Sequence, residues 1–266
     1  MKKSIILFLS ILSLSACRDK TTDPINSSDT TQVPTDGLIA YYSFNGNAND
    51  LSGNNFHGDV SGAVLTTDRF GNTGKAYQFD GNNDYIAVPN TSNSKLEPSS
   101  QLTISCFIKA NSVHGMNEFS RIIRKTASFD NGYELNWDMA RRGMLQGALL
   151  ANCIPSAFHT PSDKVSFPNN ELVGNWHHIA VTYSKSTEVF KLYIDGELVS
   201  EQRDCIYNFE QSLDTLFIGG SDGILDANRN LVKETFPGKI DDIRIYERAL
   251  IAAEIQALYH EGGFGI

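Results

Sequence analysis

The chain has 266 residues, 41% of them hydrophobic, 10% aromatic and 20% charged, with 22 Lys+Arg against 31 Asp+Glu. This is the composition of a globular protein with enough length for a full core, and it excludes a chain that is disordered or membrane-spanning throughout. A net charge of −9 offers no basic face for phosphate backbones or anionic lipid, which excludes nucleic acid as a partner.

Residues 1–16 read as an address. Lys2 and Lys3 precede an apolar run over 4–16 that is too short to span a bilayer. The run ends Leu14-Ser15-Ala16-Cys17, which resembles a bacterial lipobox with Cys17 as the residue acylated after cleavage. An ordinary signal peptide that happens to carry a cysteine is the alternative. Lipidation predicts a protein anchored in the bacterial cell envelope, at the outer membrane. Cleavage removes Lys2 and Lys3 and leaves 20 basic against 31 acidic side chains, a formal charge of −11. Residues 17–37 contain Pro24 and Pro34 but only Ile25 and Val33 as bulky apolar side chains, so they predict a disordered tether.

From residue 38 the chain reads as strands. A β-branched and aromatic run covers 38–44 and gives way to a polar loop over 45–57. Further strands are predicted at 76–79, 85–88, 102–110, 121–125, 133–137, 144–150, 176–183, 189–194, 198–203, 216–218 and 239–246. Asp80-Gly81-Asn82-Asn83 and Gly219-Gly220 supply turns. Asp195-Gly196, between Leu192/Ile194 and Leu198, is the strongest hairpin signal in the chain. Only 248–259 has helical spacing, through Leu250, Ile255, Leu258 and Tyr259, and Gly262-Gly263 stops it. There is no fixed-period repeat and no alternation of strands with helices. The prediction is an all-β antiparallel sandwich in one domain, 38–266, with a short C-terminal helix.

Five segments in order carry a family resemblance: LIAYYSFNGNANDLSGN at 38–54 with His57-Gly58, AYQFDGNNDYIAVP at 76–89, LTISCF at 102–107, NWHHIAVTY at 175–183 with LYIDGELV at 192–199, and FPGKIDDIRIYERAL at 236–250. Together they resemble the laminin G-like jelly-roll domain of the concanavalin A-like superfamily. One departure is Phe107, where a tryptophan often stands, and residues 116–173 match the pattern poorly.

That superfamily contains both glycan hydrolases and non-catalytic binding modules, so the residues must decide. A retaining glycanase needs two carboxylates about 5–5.5 Å apart. The nearest run is Tyr133-Glu134-Leu135-Asn136-Trp137-Asp138, in which Glu134 and Asp138 share strand parity but Asn136 holds the middle place. Asp241 and Asp242 are adjacent, which on a regular strand sends them to opposite faces. No Gly-x-Ser-x-Gly or His-Glu-x-x-His occurs. The expectation is a non-enzymatic protein that binds glycan or an extracellular or envelope protein. The alternatives are a glycan hydrolase or lyase on the same fold, and a purely structural surface component.

An EF-hand reading of Asn45-x-Asn47-x-Asn49-Asp50 fails, because Asp50 sits where glycine is required and Phe56 holds the twelfth place. The resemblance implies instead a structural Ca²⁺ joining the N-terminal loop to the last long strand, at Asp50 and Asp241. Strand alternation groups Asp241 with Ile243 and Ile245, and Asp242 with Arg244 on the opposite, solvent side. The alternative is that Asp50 closes its own turn and Asp241 accepts backbone N–H groups. His177 and His178 are consecutive on a strand, diverge, and read as ordinary sheet residues.

With Cys17 assigned to lipid, three cysteines remain. Cys106 lies in an apolar strand, where a free thiol behaves as a small hydrophobe. Cys153 and Cys205 are assigned a disulfide, which would close a loop of about 50 residues and stabilise by about 3–4 kcal/mol. Which of the three is the free thiol stays open. For ligand contact the candidates are Trp137 with Asn136 and Arg141, and Phe158-His159 in the stretch 152–170.

Overall fold

The computed structural model describes residues 32–90, 95–111, 119–125, 132–138, 144–149, 172–203, 214–221, 224–225, 231–232 and 235–266. Its strands are β1 (Leu38–Tyr42), β2 (Asp59–Ser61), β3 (Val64–Thr67), β4 (Thr73–Asp80), β5 (Tyr85–Val88), β6 (Gln101–Ala110), β7 (Phe119–Lys125) and β8 (Tyr133–Asp138). They continue with β9 (Met144–Leu149), β10 (His177–Ser184), β11 (Val189–Ile194), β12 (Glu197–Gln202), β13 (Leu216–Ile218), β14 (Ile224–Leu225), β15 (Leu231–Val232) and β16 (Pro237–Tyr246). One helix, α1 (Ala252–Tyr259), and a 3₁₀ turn at Glu261–Gly263 end the chain.

The strands form two antiparallel sheets and a small ribbon. The larger sheet runs β12-β11-β10-β6-β16-β4-β3 with β1 also on β16, and the smaller runs β2-β5-β13-β7-β8-β9. β14 and β15 pair separately. Alternation decides what lies between the sheets. Ile104, Cys106 and Ile108 of β6, Ile179 and Val181 of β10, and Ile243 and Ile245 of β16 meet Ile86, Ile123, Leu135 and Ile218 of the smaller sheet in one core. Cys106 is buried and unpaired, as its setting predicts, and burial pushes its thiol well above the ordinary range. The all-β sandwich is therefore confirmed.

The Asp195-Gly196 hairpin forms as expected, with both residues at positive φ, 49° and 80°, the backbone of a type I′ turn. Asp195 does more than turn the chain: its carboxylate accepts the His178 N–H at 2.9 Å and contacts His177 Nδ1 at 2.7 Å.

The helix starts later than its spacing suggests. Over 248–251 the backbone is engaged by β6 instead: Ala249 N–H donates to Gln101 Oε1 and Leu250 N–H to Thr103 Oγ1, both at 2.9 Å. The Thr103 hydroxyl in turn donates to Arg248 O at 2.7 Å. Glu254 then accepts the Ile251 N–H at 2.9 Å and both Arg248 guanidinium nitrogens, fixing the first turn. α1 lays Ile255 and Leu258 on Ala180, Tyr193 and Tyr246, a second apolar cluster on the outer side of the larger sheet. Val33 packs against the same cluster, so the chain lies on the domain already before residue 38. Among the described residues no helix is long and apolar enough to cross a membrane.

Candidate functional site

On β7 and β8 the register collects polar side chains away from the core. Arg121 is opposite Asn136 and Arg124 opposite Glu134, and directly opposed residues share a face. A bulge between Arg121 and Ile123 is what lets two arginines three positions apart stand on the same side. Arg124 is also opposite Phe217 of β13, which is opposite Ala87 of β5. The face therefore carries a row from β5 to β8, and Tyr85 stands two positions along β5 from Ala87. Tyr85 and Phe217 are half-buried, with an edge-to-face contact between rings 5.7 Å apart.

The carboxylate opposite Arg124 is already engaged. Glu134 is ion-paired with Arg121 and accepts Asn136 Nδ2 at 2.6 Å. Asn136 Oδ1 is left buried without a partner. Arg121, Arg124, Glu134 and Asn136 are buried beside the half-buried aromatic pair.

Of the residues expected from sequence to form the ligand site, Asn136 is in this row. Trp137 follows it on β8, opposite Ser120 and Leu145, and so has the strand parity of Leu135 rather than that of Asn136. Asp138 ends β8, opposite Phe119 and Met144. Arg141, Phe158, His159, Cys17 and both members of the expected disulfide, Cys153 and Cys205, lie outside the described residues. Tyr85 and Phe217 were the residues sequence reasoning missed. Both sat in predicted strands, but only the β5–β13–β7 pairing shows that they flank the arginines.

The carboxylates assigned to calcium have other partners. Asp50 Oδ1 accepts the N–H groups of Tyr41 and Ser52, both at 2.9 Å. Its Oδ2 accepts the Ser52 hydroxyl at 2.9 Å and the Phe56 N–H at 3.1 Å. A carboxylate has about four lone-pair sites, and the chain's own donors fill them.

Asp241 is not on the core side. β16 bulges between Asp241 and Arg244, and Asp242 takes φ 46°. The inserted residue breaks the alternation, so Asp241 opposes Phe107 and both aspartates turn to the outer side. There Arg69 Nη1 donates to Asp241 Oδ2 at 2.7 Å and to Asp242 Oδ2 at 2.5 Å. Asp242 also accepts the Tyr41 hydroxyl at 2.9 Å. The expectation that Asp242 is a surface charge on the face opposite Asp241 is thus corrected by the bulge.

The Arg69 guanidinium lies over the Phe107 ring at 4.0 Å and the Phe70 ring at 4.6 Å, and Phe264 of the C-terminal segment closes on Phe107. Arg244 extends the cluster to Glu261 at 2.8 Å. Burial and the charge of Asp242 push the Asp241 carboxyl up to about 8, against the pull of Arg69. One guanidinium neutralises one charge of the pair, and burial resists the second ionisation. Asp50 and Asp241 do not fit a calcium ion: one carboxylate is saturated and the other already has its cation. Among the described residues no group of three or more His, Cys, Asp or Glu is arranged to hold a metal.

A buried two-sheet jelly roll with one hydrogen-bonding face defines a concanavalin A-like domain. Residues 80–256 match the family model Laminin_G_3, described as the concanavalin A-like lectin/glucanases superfamily; the chain belongs to that family. No curated protein matches the chain. Among solved structures it is similar to domain 4 of AbnA, an extracellular arabinanase from Geobacillus stearothermophilus, in complex with arabinotriose. The TM-score is 0.59 at 20% identity, over 84% of this chain and 98% of that one. The binding domain of Paraclostridial Mosquitocidal Protein 1 gives 0.60 at 19%, over 86% of this chain and 53% of that one. The binding domain of Botulinum Neurotoxin DC in complex with SialylT gives 0.59 at 16%, over 85% and 52%. The chain thus spans about half of each toxin domain.

Proposed function

We propose that this is a lipid-anchored cell-envelope protein whose concanavalin A-like domain binds carbohydrate without chemistry, through the outer face of β5, β13, β7 and β8. The observation that carries this reading is the aromatic pair Tyr85–Phe217 beside a row of planar hydrogen-bonding groups, Arg121, Arg124 and Asn136. Sugars present an apolar ring face and directional hydroxyls, and aromatic carbon with fixed polar groups meets both. Relatives of this fold solved with arabinotriose and with SialylT support the ligand class. The ion pair of Glu134 with Arg121 supports a binding role over hydrolysis. Calcium has no part in the reading, and lipidation at Cys17 supplies the anchor.

A glycan array that includes arabino-oligosaccharides tests the binding face, with Tyr85→Ala and Phe217→Ala as variants. Retained binding by both variants overturns the assignment, and product formation from a bound glycan overturns the non-catalytic role. Cys17→Ser should release the protein from the membrane fraction; continued membrane retention refutes the anchor.

A further inference from the structure

The outer side of the larger sheet is only partly covered by α1. Beyond the helix, at the far ends of β10, β11 and β12, lies an open cleft of about 380 Å³, walled on one side by residues 249–252. Its floor is Tyr193 and Thr182, 2% and 4% exposed. Both have reason to be on this side: Phe190, Leu192 and Ile194 of β11 fill the core, so alternation turns Tyr193 outward, against Leu250 and Leu258. Both residues line the open cleft, which leaves their hydroxyls accessible from it. A hydroxyl at the floor of a cleft can donate to and accept from a ligand that displaces its water.

The charges at the rim are unbalanced. Lys191 lies 3.6 Å and Arg203 2.5 Å from the same carboxylate, Glu201. Two cations share one anion, so the cleft keeps a formal surplus of one positive charge on a chain whose net charge is −9. Ser184 adds a further hydroxyl. The volume falls in the range of small-ligand sites, about 300–1,000 Å³.

We propose that this cleft is a second saccharide site, separate from the Tyr85–Phe217 face and on the opposite sheet, and that it takes an acidic sugar. Tyr193 and Thr182 hydrogen-bond the ring hydroxyls, and Arg203 with Lys191 receives the carboxylate. The Val189 and Leu250 side chains supply apolar contact. This site selects by charge, and its affinity falls as salt screens the rim.

Calorimetric titration with digalacturonate, and with neutral galactobiose in parallel, tests the proposal on the intact domain. Digalacturonate is expected to bind at least about tenfold more tightly, the ratio that 1.4 kcal/mol produces. Tyr193→Phe deletes one hydroxyl and keeps the packed ring; it should weaken binding by about 3–10-fold. Lys191→Gln with Arg203→Gln should remove the preference for the acidic disaccharide and its salt dependence. Equal binding of the two disaccharides, no heat with either, or an unchanged affinity in Tyr193→Phe overturns the proposal. Tyr85→Ala serves as the separating control. It should leave digalacturonate binding intact while abolishing array binding, so the two sites fail independently.

Discussion

Replacing Arg69 by methionine keeps an apolar stem over Phe107 and Phe70 but removes the guanidinium that meets Asp241 and Asp242. Arg69 is 3% exposed at its side chain, so water cannot take over its role. Removing one partner of a buried ion pair costs about 3–5 kcal/mol, chiefly because the other charge is stranded. For a domain of this size each kcal/mol moves the midpoint by about 2–4 °C, so the melting temperature should fall by roughly 6–20 °C. The loss must depend on pH. The folded value of Asp241 is raised to about 8, above its ordinary 3.8. Its contribution in the wild type is therefore complete below 3.8 and is lost as pH rises through about 8. Without Arg69, which lowers it, the Asp241 carboxyl is held more strongly in its neutral form, so the gap between variant and wild type should be widest near pH 9 and should narrow toward pH 5. Circular dichroism melts across that range read both effects, and adding Asp241→Asn and Asp242→Asn should restore most of the loss. A variant that melts within about 2 °C of wild type at pH 8, or a gap that stays constant on acidification, refutes the reasoning.

Two further measurements probe the same end of the molecule. His178 is fully buried, with Nε2 2.8 Å from Ser105 Oγ and Nδ1 without a partner, and burial lowers it to about 3. Its contribution is complete above the unfolded value near 6.5 and is lost as pH falls toward 3, by at most roughly 1.4 kcal/mol per pH unit. His178→Gln should lack that acid limb, and equal limbs in urea titrations of the two proteins contradict the assignment. Asp50→Ala strands three backbone N–H groups and should cost more than about 3 kcal/mol, each unsatisfied donor accounting for about 1–3. The wild-type midpoint should not move on adding a chelator; a chelator-induced drop would show that Asp50 serves a metal after all.

Much of the fold was legible because its signals are local. Alternation with turn chemistry located β5, β11 and β13 to the residue, and Asp195-Gly196 its hairpin. The short strands β2 and β3 were missed: they are mostly exposed, and without a buried face there is no alternation to see. The same rule misplaced Asp241. Parity is counted along a regular strand, and nothing in Ile240-Asp241-Asp242-Ile243 announces a bulge, although Asp is among the residues that tolerate positive φ. Arg69 was invisible for another reason. It sits in a turn that Asp68 closes by accepting the Phe70 and Asn72 N–H groups, and its partners are 172 and 173 residues away. The candidate binding face has the same character: Asn136 could be named from β8 alone, whereas Tyr85 and Phe217 become part of it only through pairings across four strands.

The entry of the chain has a mechanical consequence. Residues 34–37 are clasped by the C-terminal end of β16 and the two residues after it: Tyr246 Oη donates to Pro34 O at 3.0 Å, Arg248 Nε to Asp36 O at 2.8 Å and Glu247 N–H to Gly37 O at 2.8 Å. β1 then runs antiparallel along β16 with its register shifted between Leu38 and Ala40. A pull on the N-terminal side of residue 32 would load these three bonds first and the β1–β16 ladder next, while the Tyr85–Phe217 face belongs to the other sheet. Force along the chain is thus taken up at one seam, and the opposite sheet stays unloaded until that seam yields.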